Sequence, residues 1–131
     1  MIRNRVLLGM HHEGYSEILG EDFEERGYDV TKVSNVEAML EKMGLRENDP
    51  SAELPTIVFE AYVMDANLGS PGADTYNPAL RIYQHIERSV IEGSVKFLTI
   101  TANADLMEST KKAGLNCISK KDVFEYVRRE F

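Results

Sequence analysis

Apolar positions along the chain follow two alternating rhythms. RVLLG, Arg5–Gly9, is a short unbroken apolar run and predicts a buried strand. Over Ser16–Arg26, Ile18, Leu19 and Phe23 recur at helical spacing, and Glu17, Glu21, Glu24 and Glu25 read as the solvated face of that helix. RGYDVTKV turns at Gly27 and gives a second strand; SNVE, Ser34–Glu37, has the spacing of a capping box and opens a helix running to about Met43. The polar stretch RENDPSAELP (residues 46–55) reads as a surface loop, followed by a third strand, TIVFEAYVMD, ending at Asp65. After the loop ANLGSPGADTY, Asn77 stands as a capping residue before a first-turn proline, Pro78, and Leu80, Ile82, Tyr83 and Ile86 form the inner face of the next helix. VKFLTIT gives a fourth strand ending at Thr101, and NADLMESTKKAG a helix stopped by Gly114. CIS is a short fifth strand, and DVFEYVRREF a last helix with Val123, Phe124 and Val127 inward. The loops at residues 46–55 and 69–75, polar and marked by Gly or Pro, are expected to be the most mobile interior segments.

Five strands alternating with five helices imply an α/β fold, a doubly wound parallel sheet with helices on both faces. The 131 residues suffice for one domain, 1–131, and are too few for two. No apolar run could span a bilayer, and the N-terminal apolar stretch is too short for a signal peptide, so neither membrane insertion nor secretion is expected. The lone cysteine, Cys117, excludes an internal disulfide, suits a cytoplasmic location and reads as a small buried hydrophobe. A net charge of −7 argues against direct nucleic-acid binding, which needs clustered Lys and Arg.

Ligands of such folds bind at the carboxyl ends of the strands. There the chain places Met10, His11 and His12, then Asp65, then Thr101 and Ala102, then Ser119 and Lys120. A carboxylate such as Asp65 can attack a phosphoryl group and form an acyl phosphate. Lys120 would supply positive charge, and the Thr101 hydroxyl with a backbone N–H would supply hydrogen bonds to the phosphoryl oxygens. The plainer alternative makes Asp65–Lys120 a structural ion pair and Thr101 an ordinary strand-end residue.

Taken in order, these segments resemble the receiver domain of two-component response regulators. EAYVMDANLG resembles the family's third strand with its phospho-acceptor aspartate at Asp65. FLTITA resembles the fourth strand with its hydroxyl switch residue at Thr101 and its backbone donor at Ala102. AGLNCISKKD resembles the lysine segment, with Lys120 as the lysine. The resemblance implies a flavodoxin-like strand order 2-1-3-4-5 and a stand-alone, atypical receiver without an output domain. Its partners would be a histidine kinase or phosphotransfer protein and a downstream protein. It would be no enzyme beyond self-catalysed phosphotransfer and dephosphorylation. A homodimer through the fourth helix, fifth strand and fifth helix is a further implication, and KKDVFEYVRREF offers mixed charges for one.

The departures from that pattern carry as much information. The acidic pair that holds a divalent cation in the family falls on Met10 and His11, and Glu13 is the nearest acid. The second switch position, aromatic in many receivers, falls on Cys117, and Lys121 stands where a proline usually follows the lysine. Asp65 and the Asn67 carbonyl alone would make a weak magnesium site or none. His11 would either join Asp65 in a site for a softer metal or fill the acid's position as a plain ring; the lack of further ligands favours the ring. His12 is expected to point outward, and His85 shows no partner in the sequence. The alternative function is therefore a pseudo-receiver, a protein-binding module that has lost magnesium-dependent phosphorylation. An aspartate-nucleophile phosphatase would want a second aspartate where Asn67 stands, and a flavodoxin-like electron carrier would want a hydroxyl-rich loop where GMHHEG stands.

Overall fold

The computed structural model describes residues 4–45, 55–70 and 73–131. Five strands, β1 (Arg5–Gly9), β2 (Asp29–Val33), β3 (Ala61–Asp65), β4 (Lys96–Thr101) and β5 (Cys117–Ser119), form one parallel sheet in the order β2-β1-β3-β4-β5. Between them run α1 (Glu13–Glu25), α2 (Val36–Lys42), α3 (Asn77–Ile91) and α4 (Ala104–Lys112); a 3₁₀ turn at Lys120–Asp122 leads into α5 (Val123–Glu130).

The two-residue period of the strands divides the core into two layers. Val6, Leu8, Ala61, Val63, Leu98 and Ile100 meet Leu19 and Phe23 of α1 and Val123 and Val127 of α5. Leu7, Tyr62, Met64 and Phe97 face the other way, against Val36, Met39 and Leu40 of α2 and Ala79, Ile82 and Ile86 of α3. Both faces are covered, so β3 is apolar without alternation from Ala61 to Met64 and buried at every position through Asp65. Gly9 closes β1 under tight packing: a Cβ there would lie 2.6 Å from the Met39 sulfur and 2.8 Å from a Leu68 methyl, so both side chains would have to shift.

Several local expectations shift. Helix α1 starts three residues before Ser16, capped by His12, whose Nδ1 accepts the Tyr15 N–H at 3.2 Å. Helix α2 is capped by Asn35 rather than Ser34, its side-chain oxygen taking the Ala38 N–H at 2.8 Å. Strand β3 begins at Ala61, not Thr56, because its partner β1 begins only at Arg5 and the first pair is Val6 with Ala61. Thr56 and Ile57 instead donate to the Met43 carbonyl. Asn77 is the first residue of α3 rather than its cap, and the buried face of that helix is Ala79, Ile82, His85 and Ile86, with Leu80 and Tyr83 half-buried. Phe124 is also only half-buried. The mobility expected at residues 46–55 and 69–75 falls largely on residues 46–54 and 71–72, which lie outside the described residues. Among the described residues no helix is long and apolar enough to cross a membrane.

Candidate functional site

Asp65 ends the central strand and is 2% exposed. Its neighbours at the same edge are the ends of β1 and β4 and the turn that follows β5. That edge is where strand backbones stop pairing and side chains from different strands can meet. Asp65, His11, Asn67, Thr101, Ala102 and Lys120 line one open depression of about 530 Å³ there.

The Asp65 carboxylate is held from two sides. Oδ2 accepts the backbone N–H of His11 at 2.6 Å, and the His11 ring sets Nδ1 3.3 Å from the same oxygen. Oδ1 lies 3.6 Å from the Lys120 ammonium. Lys120 is steered there by its position directly after β5 and by the Tyr15 ring, whose centroid lies 5.1 Å from Nζ. Tyr15 in turn stacks on Phe124 of α5 at 5.7 Å.

His11 makes a second contact that fixes its tautomer. The Gly69 N–H donates to Nε2 at 2.7 Å, so Nε2 presents its lone pair and the neutral ring carries its proton on Nδ1, facing Asp65. One imidazole thus joins β1, the carboxylate on β3 and the β3–α3 loop. Thr101 is buried at the end of β4, and its Oγ1 accepts the Asn103 N–H at 3.1 Å. Asn103 then caps α4, its side-chain oxygen accepting the Leu106 N–H at 3.0 Å. Ala102, between them, is exposed at the rim of the depression.

Asp65, Thr101, Ala102, Lys120, His11 and Asn67 therefore share one site. Four residues singled out in the sequence lie elsewhere. Met10 continues the inward parity of Val6 and Leu8 and is 2% exposed in the core under α1 and α5. Cys117 is 1% exposed, beside Thr99 and Thr110, and burial pushes its thiol pKa up. Glu13 is exposed on α1 and lines a separate depression with Glu17 and Lys32. His85 is buried in α3. Sequence reasoning missed Tyr15 and Gly69. Nothing local marks either residue, because their partners at the site, Lys120 and His11, are far away along the chain.

These residues do not fit a magnesium site. The ion demands near-octahedral oxygen ligands. Asp65 offers one carboxylate with both oxygens already approached by donors. The Asn67 carbonyl accepts the Ser70 N–H at 2.9 Å, and its side-chain amide donates to the Ala73 carbonyl at 3.0 Å. Among the described residues no three His, Cys, Asp or Glu side chains are grouped to hold any metal ion.

No family model matches the chain, and no curated protein matches its sequence. Solved structures do match. A protein of Chloroflexus aurantiacus described as a response regulator shares 21% identity over 98% of this chain and 94% of its own, with a TM-score of 0.66. The non-phosphorylated HemR receiver domain of Leptospira biflexa shares 23% over 97% and 93%, TM-score 0.62. The response regulator TrrA of Thermotoga maritima, solved in complex with Mg²⁺-BeF, shares 18% over 96% and 97%, TM-score 0.63. The fold is that of response-regulator receiver domains, with the strand order that the resemblance implied.

Proposed function

We propose that this chain is a receiver module that accepts a phosphoryl group on Asp65 from a histidine kinase or phosphotransfer protein and signals by contact with a downstream protein. The observation that carries the reading is the meeting of Asp65, Thr101 and Lys120 in one open depression from three neighbouring strand ends. A buried carboxylate beside an ammonium is poised to attack phosphorus, and the oxygens of the transferred group need donors where negative charge builds. Lys120, the Thr101 hydroxyl and the Ala102 backbone N–H have that role. Beyond this self-catalysed transfer and the hydrolysis that reverses it, the chain is no enzyme. Its proposed setting is the cytoplasm. The surface of α4, β5 and α5 with the turn between the last two, where Lys121, Asp122 and Glu125 are exposed, is the face for a second copy or a partner.

A second reading has its own support. His11 and Lys120 already engage both oxygens of Asp65 without any phosphoryl group. A carboxylate contacted in this way on both oxygens favours one conformation, as suits a protein-binding module that is never phosphorylated. Incubation with acetyl phosphate or phosphoramidate, followed by intact mass, separates the two. The receiver reading expects the mass gain of one phosphoryl group, lost in Asp65→Asn. No gain with any donor, including a partner kinase, leaves the binding module.

A further inference from the structure

A carboxylate that attacks phosphorus must meet two demands. One oxygen must be fixed and its charge offset, and the other must be left facing the incoming group. At Asp65 the two oxygens are treated differently. Oδ2 accepts the His11 N–H at 2.6 Å and has the His11 ring beside it, with Nδ1 3.3 Å away in ion-pair range. Oδ1 takes only the longer approach of Lys120, at 3.6 Å, and Lys120 shares the open depression with Thr101 and Ala102. The His11 ring cannot swing away freely, because the Gly69 N–H holds its far nitrogen at 2.7 Å. The ring therefore stands against Oδ2, and among the described residues no ligand set for a metal ion surrounds that oxygen.

We infer that His11 is a positioning residue that replaces a divalent cation: it fixes Oδ2, directs reaction to Oδ1, and lets Asp65 accept a phosphoryl group without metal. This rests on the reading of Asp65 as phospho-acceptor. With acetyl phosphate as donor, Oδ1 bonds to phosphorus while the bond from phosphorus to the acetyl oxygen breaks. Acetate leaves with the electron pair, and no proton changes hands. The phosphoryl oxygens then lie among Lys120, the Thr101 hydroxyl and the Ala102 N–H. Oδ2, now a carbonyl oxygen, keeps the His11 N–H and the ring beside it.

Three substitutions take the two ends of the ring apart. His11→Asn keeps an amide donor near the position of Nδ1 and loses the reach to Gly69. His11→Gln can still accept from Gly69 and has no donor at the Nδ1 position. His11→Asp restores an acid. The assay is the rate of phosphoryl mass gain with acetyl phosphate, in EDTA and in excess magnesium, on variants whose amide NMR spectra show native dispersion.

The wild type is expected to label at equal rates in EDTA and magnesium. His11→Asn should keep metal-free labelling. His11→Gln should lose about 10- to 100-fold, the worth of one hydrogen bond to a charged group. His11→Asp should label only with magnesium. A purely structural role for His11 would leave the metal dependence where it was in all three. Labelling of the wild type only in magnesium, or His11→Gln as fast as wild type in EDTA, overturns the inference and leaves Asp65 as the acceptor. No label in either condition, for wild type and Asp65→Asn alike, removes the acceptor reading and this inference with it.

Discussion

Replacing Met10 and His11 together by aspartate should turn the protein into one that leans on a divalent cation to stay folded. Met10 is 2% exposed and packs with Leu8, Leu19 and Val123. Losing that packing costs about 2–5 kcal/mol, the range for truncating a buried methionine. An aspartate at position 11 stands where His11 now touches Asp65. Two carboxylates about 5 Å apart repel by ~3 kcal/mol at an effective dielectric of about 20. The combined loss approaches the whole stability of an ordinary domain, about 5–15 kcal/mol. Magnesium at about 100 times its Kd would return ~2.7 kcal/mol. For a chain of this size that is roughly 10 °C in Tm. The wild type, with magnesium at or below its Kd, should gain at most ~0.4 kcal/mol, under about 2 °C. The assay is thermal unfolding by circular dichroism across a magnesium series, for wild type and for Met10→Asp with His11→Asp. A wild-type Tm that climbs with magnesium as steeply as the double variant's would refute the reasoning, since it would demand a cation site that the donor set does not provide.

Lys120→Met should slow phosphorylation of Asp65 by about 10²–10³-fold, as loss of a donor to a developing oxyanion does, measured by intact mass over time. Gly9→Ala should destabilise by about 1–3 kcal/mol through overpacking against Met39 and Leu68, read from urea midpoints at an unchanged slope. Stability should also fall at alkaline pH. Burial raises the native pKa values of Cys117 and Tyr62 above their ordinary 9.0 and 10.0, so above about pH 9 the unfolded chain loses these protons first. The contribution is complete below that pH and drains away as pH rises toward the native values. Urea unfolding at about pH 8 and about pH 10.5 checks the sign, and Tyr62→Phe should flatten the dependence.

Much of the molecule was legible from local pattern. Apolar runs and helical spacing mark elements because burial on one face needs only the period of the chain itself. Hence β1 lies at Arg5–Gly9 as read, and Asp65 and Thr101 close their strands as read. Element ends were less legible because they depend on partners. TIVF carries every local mark of a strand, yet β3 starts at Ala61, where β1 first offers a neighbour. Ser34 and Asn35 are equally able caps, and only the end of β2 at Val33 puts Asn35 in place. His12 caps α1 through a ring nitrogen, a use that helix-start patterns built on Ser, Thr, Asp and Asn do not register.

At the site, residue types and strand ends were enough to put a carboxylate, a hydroxyl and an amine on one edge. They were also enough to show that the expected acids are missing at positions 10 and 11. What those two substitutions do was decided by tertiary structure. Met10 and His11 are adjacent, and strand parity sends one into the core and the other to Asp65. Whether His11 acts as ligand, ion pair or hydrogen-bond donor depends on the group that meets its far nitrogen. That group is the N–H of Gly69, 58 residues away in the chain. A sequence lists donors and acceptors; a hydrogen bond exists only where folding brings a pair of them within about 3 Å and in line.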